Sequence, residues 1–181
     1  MMGSISLRSW AVFLVLLSPL AHGGGDEPSL FGYKIGQHYK ATKYAEHRLY
    51  GVIVANPARL TPELEELLLT VTPKSHTIVS IRGTLRTDDH EQIEKMKDQY
   101  WEFWNTKCPG WAHQRFEFGA VMFWKTPYYL QARSRRTRIE GLFEFSVSLE
   151  YVPGTPERRA LDALRIEEAR QIVAGGQSGG P

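Results

Sequence analysis

The chain has 181 residues, 22 Lys and Arg against 20 Asp and Glu, a formal charge of +2, and a hydrophobic fraction of 42%. That balance belongs to a folded globular chain and excludes a disordered polyelectrolyte, a collagen-like repeat, a coiled coil and a strongly polyanion-seeking protein. The lone cysteine excludes an internal disulfide framework and any multi-thiolate metal cluster.

Residues 1–23 read as a secretory signal peptide. Arg8 supplies a positive start, Trp10 to Leu17 is an unbroken apolar run, Ser18-Pro19 breaks it, and Ala21 and Gly23 are small residues suited to a signal peptidase. The run is too short to cross a bilayer core of about 30 Å, so no transmembrane anchor is expected after processing. Cleavage after Gly23 removes Arg8 and no acid, leaving 21 basic and 20 acidic residues in a nearly neutral mature chain. A single domain is expected from 24 to 174, with Gly175 to Pro181 as a flexible tail and a periplasmic or secreted destination.

Glu27 to Gly36 reads as a loop, followed by a short helix over His38 to His47 and a strand over Leu49 to Ala55. Leu64 to Thr72 and Thr77 to Leu85 are rich in Leu, Val, Ile and Thr and flank Pro73-Lys-Ser-His76, which predicts a hairpin. Asp88 to Thr106 is the best helix: Asp88 with Glu91 fits a capping box. Ile93, Met96, Tyr100, Phe103 and Trp104 fall within an arc of about 100°. The helix ends at Pro109-Gly110. Three strands follow, Arg115 to Trp124, Tyr128 to Arg133, and Leu142 to Val152, the last alternating between apolar and polar residues from Phe143 to Tyr151. Thr155-Pro156-Glu157 opens a final helix, with Leu161, Leu164, Glu168 and Ile172 on one side. Strands in consecutive runs predict an α+β fold, a mainly antiparallel sheet with about two helices packed on one face. No internal repeat is visible.

The segment Phe31-Gly-Tyr-Lys-Ile-Gly36, together with the late strand Val147-Ser-Leu-Glu-Tyr151, resembles a diffuse group of uncharacterised exported bacterial proteins. In these a Phe-Gly-x-x-Leu-Gly segment follows the signal peptide and a β-rich body comes next. Ile35 replaces the more usual Leu. The resemblance implies export and a β-rich body, and no activity or catalytic residue. Physically, Gly32 and Gly36 suggest positive φ or a close backbone approach, or simply a turn.

Cys108 follows a helix C-terminus, where the macrodipole raises a thiol pKa, so it reads as a structural thiol, with an intermolecular disulfide as the alternative. His90-Glu91 resembles half of a His-Glu-x-x-His zinc site, but position 94 is Glu. The paired carboxylates Glu63 with Glu65 and Glu66, Asp88 with Asp89, and Glu167 with Glu168 are sequence neighbours, not the opposed pair of a glycosidase cleft. No nucleophile elbow, phosphate-binding loop or dinucleotide fingerprint is present. Two local anomalies remain. Arg133-Ser-Arg-Arg-Thr-Arg138 reads as a protruding strand end and loop, or as an anion-binding edge formed by Arg133, Arg135, Arg136 and Arg138. The dense aromatic residues from Tyr100 to Tyr129 read as a helix packed on an aromatic sheet, or as a groove lined by Trp101, Trp111 and Trp124.

The expected function is a small exported, non-catalytic binding or envelope-interaction module with no cofactor or metal. Its partner would be a protein, a peptide or an anionic envelope component, and nucleic acid is excluded by the compartment and the near-neutral charge. The alternative is a hydrolase-type enzyme with a dispersed site, for which His113 and Glu117 are the least implausible residues. A third possibility is a homo-oligomer joined through a strand edge.

Overall fold

The structure, a computed structural model, describes residues 27–40, 46–48, 52–55, 64–117, 119–139 and 141–177. The expected signal peptide at 1–23 lies outside the described residues. The fold is α+β, and the described residues form eight strands and two helices: β1 (Glu46–Arg48), β2 (Val52–Ala55), β3 (Glu66–Val71), β4 (Ile78–Thr87), α1 (His90–Lys107), β5 (Ala112–Arg115), β6 (Ala120–Lys125), β7 (Tyr128–Arg136), β8 (Phe143–Tyr151) and α2 (Pro156–Gln177). The strands form one sheet in the order β1-β2-β3-β4-β8-β7-β6-β5, and every adjacent pair is antiparallel. Four strands and a helix therefore occur twice, and the two units join through β4 and β8 at the centre. This repetition of elements has no counterpart as a repeat of residues.

Each half is a meander whose turns follow from local chemistry. The hairpin predicted around Pro73 to His76 joins β3 to β4, and Thr72 N–H donates to the Thr77 carbonyl at 2.9 Å. The register slips between Thr70 and Val71, so that Val71 pairs with Ile78 and both reach the core. The expected single strand from Arg115 to Trp124 is instead a hairpin, β5 and β6, turning through Gly119 at φ 97°. A glycine inside an apparent strand supplied the left-handed residue that the turn needs. β7 is longer than expected: its ladder with β8 continues through Arg135↔Glu144 and Arg136↔Phe143. The arginine run is therefore mostly paired sheet rather than a protruding end. A further correction concerns the two ends of the helix expected over His38 to His47, of which 41–45 lie outside the described residues. His38 bridges to Thr77, Tyr39 N–H donates to the His76 carbonyl at 2.9 Å, and 46–48 form β1. These sheet-type pairings take the backbone groups that a helix would use internally. Of the strand expected at Leu49 to Ala55, residues 52–55 form β2 and 49–51 lie outside the described residues.

One face of the sheet is the core. On it lie Leu67, Leu69, Ile81, Gly83, Leu85, Phe145, Val147, Leu149, Leu130, Ala132, Val121 and Phe123, brought into line by the cross-strand register. Two different structures cover it. α1 lies across β6 and β7, burying Ile93, Met96, Tyr100 and Trp104 against Phe145 and Phe123. Each large side chain so buried contributes about 1.5–3 kcal/mol. Lys97 falls in the same arc and is buried too, with its ammonium on the Glu94 carboxylate. The N-cap is Asp89, one residue after the expected Asp88, and its carboxylate accepts from Gln92 N–H at 3.0 Å.

The other half of the core face is covered by the segment after residue 27. Leu30 and Tyr33 exchange two backbone hydrogen bonds around Phe31 and Gly32, both at positive φ, 53° and 77°, a two-residue turn of the type favoured between twisted strands. Gly36, at φ 81°, donates its N–H to the Ile78 carbonyl at 2.8 Å. The turn drops Phe31 onto Gly83, where an added Cβ would stand 2.9 Å from the Phe31 ring and 2.7 Å from Leu64 Cδ1. The Phe-Gly segment is thus a plug for the first half of the sheet.

α2 begins as expected, with the Thr155 hydroxyl accepting from Arg158 N–H, and continues through Gly175 to Gln177, two residues beyond the expected start of the tail. Side chains along its length tie it down. Leu161 packs on the core, Arg158 pairs with Glu150, and the buried Glu168 carboxylate accepts the N–H groups of Lys74 at 2.7 Å and Ser75 at 3.0 Å in the β3–β4 turn.

Candidate functional site

The sheet's other face is polar. Side chains alternate along a strand, so antiparallel register stacks the outward residues into rows. One row reads Arg86–Glu144–Arg135 and the next Glu66–Thr84–Ser146–Arg133–Ala120. The third is Leu68–Arg82–Ser148–Gln131–Met122, and the fourth Thr70–Ser80–Glu150–Tyr129–Trp124.

Its carboxylates are clamped. Glu144, 7% exposed, takes Arg135 through Nε at 2.9 Å and Nη2 at 2.7 Å, and Arg86 through Nε at 3.5 Å. Glu150 stands between Arg82 Nη2 and Arg158 Nη1, each at 3.6 Å. Arg133 makes no ion pair with a described residue. Thr84 and Ser148, each 5% exposed, carry hydroxyls with no hydrogen bond to a described residue, and Ser146 Oγ donates to the Arg133 carbonyl at 3.5 Å. Burial, with Glu150 adding to it and Arg133 opposing, raises the Tyr129 phenol above its ordinary value of 10.0.

Of the residues expected to bind, Trp124, Arg133 and Arg135 share this face. The others do not join them. Trp101 is on the core side, its ring 5.2 Å from Phe123, so Trp101 and Trp124 lie on opposite faces and line no common groove. Trp111 precedes β5 and packs against the core. Arg136 pairs with Phe143 on the core-side row, and Arg138 lies in the β7–β8 loop. The sequence reading missed Arg82, Arg86, Thr84, Ser146 and Ser148. Their signal was the polar set Ser80, Arg82, Thr84 and Arg86 alternating along β4, but only strand register aligns it with β8.

His113 and Glu117 do not converge. His113 stacks on Phe123, meets Trp101 edge-on and has no acid partner among the described residues, while Glu117 is exposed in the β5–β6 turn. Arg115 pairs with Asp98 and lies over the Trp101 ring at 6.0 Å, completing that outer cluster. Cys108 caps α1, donating its backbone N–H to the Trp104 carbonyl, and burial pushes its thiol up to about 11. Among the described residues no group of three His, Cys, Asp or Glu side chains is placed to hold a metal ion, and no helix is long and apolar enough to cross a membrane. No family model, curated protein or solved structure matches this chain.

Proposed function

We propose that the protein is an exported, non-catalytic binding module that presents its polar sheet face to an anionic component of the cell envelope. One observation carries the reading: the charge on that face is unbalanced. Arg82, Arg86, Arg133 and Arg135 are four cations facing Glu66, Glu144 and Glu150, an excess of one, while Arg158 at the margin is matched by Asp162 at 2.9 Å. The chain as a whole has an excess of only two in 181 residues. A local excess on a near-neutral protein directs encounter with anions without making the molecule generally polyanion-binding.

Export rests on residues 1–23. Amino-terminal sequencing of the protein recovered outside the cytoplasm should begin near residue 24, and an intact Met1 there would overturn this part. Binding is tested by sedimenting the recovered protein with vesicles containing an anionic phospholipid and with purely zwitterionic vesicles. Retention by the anionic vesicles alone is expected, falling on Arg133→Glu substitution. Equal retention of the substituted protein would end the reading.

A further inference from the structure

We infer that Arg82 and Arg133, with the hydroxyls of Thr84 and Ser148, form a site for a tetrahedral oxyanion, a phosphate or sulfate group. This rests on the anion-binding reading of the polar face and names the ligand chemistry. Arg82 and Arg133 stand on β4 and β7, diagonally across β8. With strands about 4.8 Å apart and residues rising about 3.3 Å, their Cα atoms are roughly 12 Å apart, within reach of two arginine side chains converging on one ion. Beneath them lie Ser148 and, opposite Ser146, Thr84.

Two features of this spot point to a ligand. The first is that Arg133 has no carboxylate partner among the described residues, whereas Arg86 and Arg135 are spent on Glu144. Arg82 shares its carboxylate with Arg158 and approaches it only at 3.6 Å, so it can turn away without stranding Glu150. The second is the floor. Thr84 and Ser148 are held by residues packed around them, and neither hydroxyl bonds a described residue, so both are free to meet a ligand on the polar face. These hydroxyls open onto the polar face, where a bound acceptor would take their hydrogens in place of water. The donor arrangement selects the anion class. A planar carboxylate fills the fork of one guanidinium. Donors from two flanks and a floor suit an ion whose oxygens point in several directions.

The test is a nuclear magnetic resonance titration of the full chain with inorganic phosphate and with sulfate, against chloride at matched ionic strength. Glycerol 3-phosphate forms a further arm. Saturable shifts centred on Thr84, Ser148 and the Arg133 side chain are expected for the tetrahedral ions and not for chloride. Arg133→Gln should weaken binding about tenfold or more, the loss of one charge-assisted partner. Ser148→Ala, a small change with little risk to the fold, should weaken it several-fold. A stronger response to glycerol 3-phosphate than to inorganic phosphate would place the group on a phosphomonoester headgroup, and the reverse on a free ion. Shifts that chloride reproduces, or that survive both substitutions, would overturn the site. Arg133-dependent vesicle retention without saturable oxyanion binding would remove this site and leave the broader reading. Oxyanion binding without vesicle retention would do the opposite.

Discussion

Replacing Glu168 with alanine tests how α2 is attached. The carboxylate is 6% exposed and receives two N–H groups from the β3–β4 turn, at 2.7 and 3.0 Å. The turn is preorganised for it: the Thr72 and Ser75 hydroxyls are 2.7 Å apart, Ser75 and Thr77 2.9 Å, and Thr77 N–H donates to Thr72 Oγ1 at 2.9 Å. Burial by itself would raise the Glu168 pKa. Hydrogen bonds from the Ser75 hydroxyl and N–H, the Lys74 N–H and the Thr72 hydroxyl outweigh it and hold the carboxyl below its ordinary 4.5. Hydrogen bonds to a charged group contribute about 1.5–3 kcal/mol each. Lys74 is exposed, so water can replace part of what is lost, and the lower figure applies. Glu168→Ala should then cost about 3 kcal/mol, and Glu168→Gln, which keeps an acceptor but not the charge, about half of that. The pH dependence has a definite sign. The folded pKa is depressed, so this stabilisation is complete above the ordinary value and disappears as pH falls through the folded one. Urea denaturation of the three proteins, at neutral pH and at steps below 4.5, reads both effects. An unchanged midpoint for the alanine protein, or a gap from wild type that stays constant down the pH series, would refute the anchoring role.

Three further outcomes follow from the packing. Gly83→Val should destabilise by about 1–3 kcal/mol by driving atoms into Phe31 and Leu64, and a neutral thermal melt would show that the Phe31 plug does not press on this strand. Asp89→Ala should cost about 1 kcal/mol while Asp88→Ala stays within roughly 0.5, and the reverse order would move the cap of α1 back one residue. Burial pushes the Cys108 thiol up from its ordinary 9.0 to about 11, so native protein should alkylate with iodoacetamide on the order of a hundredfold more slowly than unfolded protein, and equal rates with and without urea would contradict its burial.

How far the sequence reaches is best seen in particular elements. Its own periodicities established the α+β class, the hairpin at Pro73 to His76, α1 with its apolar stripe, the alternation along β8 and the Thr155 start of α2. All of these are written within a few consecutive residues, by side-chain period, caps and turn formers. The start of the short helix expected at His38 is not helical because pairing with Thr77 and His76 took over backbone groups for which local propensity offers only a weak preference. The arginine run failed as a loop because polar residues on both sides of a strand look the same whether it leaves the sheet or stays paired beside β8. The site depended on tertiary structure most of all. Arg82 and Arg133 are 51 residues apart in the sequence and come together only because β4 and β7 both pair with β8 in one register. Register between distant strands is decided by which core faces fit when the chain closes, and a slip of one residue would send every one of these polar side chains to the other side of the sheet.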